Sequence, residues 1–226
     1  MAKSINAKYL KYISEDEDQK EFFNILNSES DRGLVLVGSS HLDGVLMDIL
    51  KLYLREPRVA NDTLFSFQGA LGSFSNRIEM AYRLGLICTN FAYVLDRIRK
   101  SRNQMAHHIE NFALENSPHK DLIDDCIDVM VDSQFFSAII QAYRDQTAEI
   151  RDAIIKSGLP AEHLMDKTKK ERQDFLTVYF ALVTTLKFIR HCLVIGIDKT
   201  EISVSLNTYL DDTTKLTELI ENSLEI

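Results

Sequence analysis

Apolar residues recur at three- and four-residue spacing along most of the chain, which is the pattern of amphipathic helices. The clearest case is residues 32–54, RGLVLVGSSHLDGVLMDILKLYL. Seven apolar positions are spaced for one helix face: Leu34, Val35, Leu42, Val45, Leu46, Ile49 and Leu50. Ser30 and Asp31 supply a start signal, and Pro57 is expected to end the helix.

The same periodicity predicts further helices over 15–29, 73–84, 89–110, 121–131, 133–157, 171–196 and 211–224. Gly85 is expected to close the helix that begins near residue 73. Alternation in TEISVSLNTYL, residues 200–210, indicates one short strand. The predicted fold class is all-α, a multi-helix bundle with a C-terminal helical extension. The expected division is an acidic helical lead over 1–28, a helical domain over 29–150 and an extension over 151–226, packed on the same body.

Two local features refine this picture. In the loop that follows Pro57, we expect the rings of Phe65, Phe67 and Phe74 to pack inward around a tight turn. Four small residues interrupt the apolar helix at 32–54: Gly38, Ser39, Ser40 and Gly44. Glycine weakens a helix, so the close approach of another helix would compensate for it. We expect that helix to come from a second subunit, which predicts a homodimer.

Composition narrows the class of protein. The 226 residues are 45% hydrophobic, which is enough for a substantial core. Three separated cysteines show no metal-ligand spacing, and no metal or cofactor is expected. The N-terminal residues are polar, and the most apolar run, from Phe175 onward, carries Lys187 and Arg190. A cytoplasmic chain without a membrane span is therefore expected.

The net charge of −8 argues against a protein that binds DNA strongly by itself, because phosphate neutralisation supplies most of that affinity. Two clusters of basic residues interrupt the acidic balance, and solvated helix faces explain both. The first comprises Arg97, Arg99, Lys100 and Arg102, and the second comprises Lys167, Lys169, Lys170 and Arg172.

The first basic cluster leads into RKSRNQMAHH, residues 99–108, which combines arginine, asparagine and histidine side chains that could act in binding or catalysis. One interpretation is structural: Arg102 pairs with Asp43 or Asp48, and Asn103 and His107 hydrogen-bond the buried ends of neighbouring helices. A second makes the stretch a surface for a partner or ligand. Its contact candidates are Arg99, Arg102, Asn103, His107 and His108.

Three segments in order resemble the mannitol operon repressor family: RGLVLVGSSHLDGVLMDIL, LFSFQGALGSFSNRIEMAYRLGLI and IRKSRNQMAHHIENF. The resemblance covers roughly residues 29–115. It implies an all-helical cytoplasmic regulator of transcription that has no recognisable DNA-binding domain of its own. Such a regulator would act through a protein partner. We take this non-enzymatic function as the principal hypothesis.

The alternative hypothesis rests on a shorter resemblance. Arg102, the polar Asn103 and then His107 are similar to the arginine-to-histidine motif of the HEPN helical ribonucleases. The resemblance implies a metal-independent endoribonuclease of a toxin or defence system, with Arg102, Asn103 and His107 at the catalytic site. There the arginine would hold the scissile phosphate, and the histidine would exchange protons with the attacking 2′-hydroxyl or the leaving oxygen.

Overall fold

The computed structural model describes residues 17–59, 63–107, 112–131, 140–141 and 170–194. These ranges hold six helices: α1 (Glu17–Ser28), α2 (Asp31–Tyr53), α3 (Phe74–Arg83), α4 (Thr89–His107), α5 (His119–Val131) and α6 (Lys170–Val194). They contain no strand, and the predicted all-α multi-helix bundle is confirmed. Residues 140–141 are helical, and the rest of the expected helix over 133–157 lies outside the described residues. So do the expected strand at 200–210 and the expected helix at 211–224.

Side-chain caps and one glycine set several helix boundaries. The Ser30 hydroxyl accepts a hydrogen bond from the Gly33 N–H and starts α2, and Ser73 does the same for Asn76 at the start of α3. Gly85 follows α3 with φ of 73°, as expected of the residue after a helix. The α2 helix ends at Tyr53, before Pro57. The proline ring would clash with the Tyr53 carbonyl, so the helix must end at least one turn earlier.

The helix α6 lies in the middle of the hydrophobic core. Fifteen of its 25 residues are buried. It packs against α2 along one side and against α5 along another. The expected extension after residue 150 therefore contributes a central element of the bundle, and α2 buries its apolar face against it.

Packing within the chain explains one of the two glycines among the four small residues of α2, namely Gly38. A Cβ atom at Gly38 would lie 3.4 Å from the Tyr179 ring and 3.5 Å from the Phe175 ring, both on α6. The expected neighbouring helix at Gly38 is thus α6 of the same chain, so this glycine gives no support to a second subunit. At Gly44 a Cβ atom would meet nothing within 4 Å.

The start of α6 holds the end of α1 to the start of α2. The buried Arg172 guanidinium donates through Nη2 to the carbonyls of Leu26, Asn27 and Glu29, at 3.1, 3.0 and 2.8 Å. Its Nη1 lies 3.0 Å from Asp31 Oδ1. One guanidinium thus binds two of the last carbonyls of α1, which lack a partner within that helix, and the carbonyl of Glu29 that follows it.

A buried aromatic cluster joins α1, α2 and α6. His41 Nδ1 and the Tyr179 hydroxyl are 2.5 Å apart, and the Phe22 ring lies 4.2 Å from the His41 ring. Burial lowers the pKa of His41, and the positive charge of Lys187 lowers it further. Burial also raises the pKa of the Tyr179 hydroxyl. Both side chains are thus kept neutral at this contact.

Two helices, α2 and α6, are long and apolar enough to cross a membrane by length and composition alone. Core helices of a soluble bundle meet the same criteria. In the most apolar window of α6, 67% of residues are buried inside the protein, and the corresponding share for α2 is 44%.

Candidate functional site

The candidate stretch occupies the last two turns of α4. One face of that helix is buried in the core through Phe91, Val94, Leu95, Ile98 and Met105. On other faces Lys100 and Asn103 are exposed, and Arg99 and Arg102 are half-buried. His107 is the last described residue of α4, and its side chain lies outside the described part, as does the whole of His108.

Two basic residues of the cluster at 97–102 are held by acids. Arg99 Nε donates to Asp96 Oδ1 at 2.8 Å, within the same helix. Arg97 lies 3.3 Å from Asp125 Oδ2 of α5 and also donates to the Tyr93 hydroxyl. These two side chains belong to a network of ion pairs and hydrogen bonds on the surface of α4. This agrees with the expectation that the basic cluster is a solvated helix face.

Arg102 differs from its neighbours. It makes no hydrogen bond or ion pair with another described residue. The expected pairing with Asp43 is wrong, because the buried Arg77 of α3 binds that carboxylate. Asp48, the other acid considered, is exposed on α2. Within the described part of the chain, no acid therefore holds the Arg102 guanidinium.

Asn103 is also not the buried polar group expected at this end of α4. Its side chain is exposed and hydrogen-bonds no other described residue. The buried polar contact here joins Ser101 Oγ to His119 Nδ1, which are 3.3 Å apart. Arg32 Nη2 of α2 also donates to the Met105 carbonyl at 3.3 Å. The helix end is thus fixed by residues outside the candidate set.

Sequence reasoning missed His119, whose ring also lies 4.4 Å from that of Phe112. Its one local signal is its place between Pro118 and the predicted helix at 121–131, which in the structure begins at His119 itself. That signal does not specify Ser101 as its partner, because the contact spans two helices.

Two side chains on α4 have no partner among the described residues, Arg102 and Asn103. Arg102 and Asn103 offer N–H donors that fit phosphate or carboxylate oxygens. On a regular helix Arg102 and His107 are rotated by about 140° from one another, whereas Asn103 and His107 share a face. Among the described residues, no group of three or more His, Cys, Asp or Glu side chains is placed to hold a metal ion.

A second candidate surface is the loop over 63–72, which carries Phe67. The Phe67 side chain is 96% exposed, so the expectation that its ring packs inward is wrong. Phe65 is half-buried and packs against the core, and Phe74, the first residue of α3, is buried, both as expected. The Lys51 ammonium lies 5.4 Å from the Phe65 ring centre and ties the loop to the end of α2.

The Phe67 loop is held in one conformation by hydrogen bonds. Leu71 N–H donates to the Leu64 carbonyl at 2.8 Å, closing the loop on itself. Arg77 Nε donates to the Leu71 carbonyl at 2.9 Å, and Asn76 Nδ2 donates to the Ala70 carbonyl at 2.8 Å. The same Arg77 that binds Asp43 thus anchors the loop to both α2 and α3.

Two glycines allow the loop to close this tightly. A Cβ atom at Gly69 would lie 2.0 Å from the Thr63 carbonyl oxygen, and one at Gly72 would lie 2.3 Å from the Ser66 carbonyl oxygen. Any larger residue would force the backbone apart at these positions. The pattern GALGS, which lacks the residues of a phosphate-binding loop, serves here to present Phe67 to solvent.

Comparison with models of protein families, with curated proteins and with solved structures gives no match for this chain.

Proposed function

We propose that the protein is a non-enzymatic regulator of transcription that acts by binding a protein partner, as its resemblance to mannitol operon repressors implies. The observation that carries the proposal is the 96% exposed Phe67 on a hydrogen-bonded loop. Aromatic side chains dominate the energetics of protein interfaces, and a fixed loop loses little conformational entropy when it binds. The net charge of −8 favours a protein partner over DNA.

The test compares two exposed apolar side chains. Phe67→Ser removes the aromatic ring, and Val59→Ser removes an apolar side chain that is 59% exposed and lies before the loop. Tagged wild type and both variants are purified from the native host, and the bound proteins are identified and quantified. We expect Phe67→Ser to lose a partner that Val59→Ser retains, while both melt at the wild-type temperature.

Equal recovery of all bound proteins by the two variants would contradict a role for Phe67.

A DNA-binding measurement tests whether the protein needs a partner. The pure protein is expected to bind DNA weakly and in a salt-sensitive manner. Sequence-specific DNA binding that survives about 200 mM salt would show that no partner is needed.

A second candidate function, metal-independent cleavage of RNA, is favoured by Arg102 and Asn103. Asn103 is exposed and Arg102 is half-buried, and neither has a partner among the described residues. A structural role predicts that both side chains are buried and paired within the protein. A phosphate-binding role instead needs donors that no other group of the protein holds. Arg102 would hold the scissile phosphate, and His107 would transfer protons, as the HEPN resemblance implies.

The ribonuclease candidate is tested with Arg102→Ala and His107→Ala, assayed on single-stranded RNA in the presence of a chelator. Arg99→Ala is the matched control, because Arg99 lies on the same helix but is paired with Asp96. On this candidate function, wild type and Arg99→Ala cleave, and the other two variants do not. Absence of cleavage by the wild type would contradict the ribonuclease candidate and leave the non-enzymatic regulator as the proposed function.

A further inference from the structure

The loop that carries Phe67 combines an exposed ring with an uncharged surrounding sequence. Phe67 is 96% exposed, and residues 63–76 include no Asp, Glu, Lys or Arg. Aromatic side chains without charged neighbours are typical of the core of a protein interface. The hydrogen bonds that close and anchor the loop hold this ring outward. It is therefore placed to enter a recess in another molecule.

A recess of suitable size lies between α3 and α4 of the same chain. This groove has a volume of about 300 Å³ and is open to solvent, so one aromatic side chain can enter it. Ile78 and Ala92 supply apolar lining, and Tyr82 and Tyr93 supply aromatic lining. The two tyrosines are 43% and 37% exposed and can pack edge-to-face or offset against a further ring. A cation–π contact with Arg97, at 4.4 Å, holds Tyr93 in place.

The charges at the groove favour an uncharged occupant. Both carboxylates of the lining are ion-paired, Glu79 with Arg83 and Asp96 with Arg99. A charged side chain would gain little from acids that already have partners, and it would still lose hydration. An aromatic ring leaves these pairs intact and gains free energy from the apolar area that it buries.

The ring and the groove of one chain do not fit each other. Phe67 lies outside the groove lining and is almost fully exposed, so it does not fill the groove of its own chain. A second copy can supply the ring. The loop leads directly into α3, and the groove lining begins at Ser75 near the start of that helix. In a dimer with two-fold symmetry each copy would donate one ring and accept one, which buries two rings at a single interface.

We propose that Phe67 inserts into the groove between α3 and α4 of a second copy, in a two-fold dimer that exchanges two rings. Each ring would lie against Tyr82 and Ala92 of the other copy. The inference goes beyond the proposed function, because it names a second copy of this chain as a binder of Phe67. The dimer and any other protein partner would then compete for the same ring.

Sedimentation of the pure full-length chain over a range of concentrations tests the proposal. Two inserted rings bury less area than a standard interface, so the wild type should dimerise with a Kd in the micromolar range. Val59→Ser removes an exposed apolar side chain outside the groove and is the matched control. We expect Phe67→Ser to weaken dimerisation about 30-fold or more and Val59→Ser to leave it within about twofold. A wild type that stays monomeric up to about 500 µM, or a dimer that Phe67→Ser forms equally well, would overturn the proposal.

A mixing experiment tests whether the groove receives the ring. Ala92→Leu fills the groove and keeps Phe67, and Ser75→Trp does the same from an exposed position if Ala92→Leu melts below the wild type. Each variant alone should dimerise as poorly as Phe67→Ser. Mixed with Phe67→Ser, which keeps its groove, a groove variant should form a heterodimer with one intact contact, about fivefold or more tighter than either variant alone. No gain on mixing, as when two Phe67 rings stack on each other, would overturn the exchange.

Failure of this inference and failure of the proposed function are distinguishable. Dimerisation is measured on pure protein, whereas the comparison of Phe67→Ser with Val59→Ser in the native host measures other bound proteins. A dimer that does not need Phe67 would reject the exchange and leave that comparison valid. Conversely, a dimer that needs Phe67, while Phe67→Ser keeps every other bound protein, would retain the exchange and reject the loop as the contact for other proteins.

Discussion

Arg172 is a charged residue whose loss should lower the stability of the fold substantially. Its guanidinium satisfies three carbonyls at the end of α1 and pairs with Asp31 while almost buried. We expect Arg172→Ala to lower the free energy of unfolding by about 3 kcal/mol, because a half-buried carboxylate and several carbonyls lose the buried guanidinium. Denaturant titration measures the change.

Two further variants make this prediction specific. Arg172→Lys keeps the charge near Asp31 but cannot reach several carbonyls at once, so its loss should be smaller than that of alanine. Arg83→Ala breaks an exposed pair with Glu79 and should leave the unfolding free energy unchanged. Similar losses for Arg172→Ala and Arg83→Ala would contradict the burial argument.

His41 makes stability depend on pH. Its folded pKa lies below the ordinary value of 6.5, first because of burial and then because of Lys187. Between the folded pKa and 6.5 the unfolded chain binds more protons, so stability falls as pH decreases below 6.5 and levels off below the folded pKa. His41→Gln should flatten this part of the profile, which thermal melts from about pH 8 to about pH 5 measure. Parallel pH profiles for wild type and His41→Gln would contradict the assignment.

The residue-level predictions from sequence failed where they required a contact between helices. An arginine was expected to hold Asp43, and one does, but it is Arg77 rather than Arg102. Local sequence makes both arginines suitable, because each lies on a helix near apolar positions. Only the packing of α3 on α2 decides which guanidinium reaches the carboxylate.

At the scale of elements, the sequence predicted helices well because periodicity and caps are local. Ser30, Ser73 and Gly85 mark boundaries where the structure has them. The Phe67 loop was predicted as a loop, but the outward direction of Phe67 was not. Apolar composition favours an inward ring, and the hydrogen bonds that Arg77 and Asn76 make to the loop determine the actual direction.

Gly38 and Gly44 of α2 should respond in opposite ways to larger side chains. Gly44→Ala should raise the free energy of unfolding by about 0.5–1 kcal/mol, because nothing lies near its Cβ position and alanine favours a helix. Gly38→Leu should lower it by about 1–3 kcal/mol, because the rings of Tyr179 and Phe175 occupy the space. Urea titration of both variants gives the comparison.

A bulkier substitution at Gly44 tests the expected homodimer. If a second copy covers Gly44, then Gly44→Leu should weaken association, as light scattering over a range of concentrations would show. A dimer that forms equally well in wild type and Gly44→Leu would place the interface elsewhere on the molecule.

At the scale of the whole molecule, the position of α6 was the hardest feature to predict. Residues 151–226 were expected to extend a body formed by residues 29–150, since the resemblance to a known family ends near residue 115. In the structure, α6 is buried along most of its length between α2 and α5. Periodicity shows that α2 and α6 each have apolar faces, but it does not show that those faces meet.

This arrangement implies that the described helices fold as one unit. Leu34, Val35, Leu42, Leu46 and Ile49 make α2 apolar along a face that contributes to the core shared with α6. A protein that ends at residue 150 would lack α6 and expose much of this surface to water. We therefore expect the shortened chain to show no cooperative thermal transition and to bind a hydrophobic dye, whereas the full chain melts cooperatively.

The matched control for the truncation disrupts α6 without removing any chain. Ala181 is fully buried on α6, and Ala181→Asp would place a carboxylate in the core. If α6 is an integral part of the fold, this variant should lose the cooperative transition as the shortened chain does. A cooperative melt of residues 1–150, together with an unfolded Ala181→Asp full chain, would instead mean that the first part folds alone and that the altered α6 interferes with it.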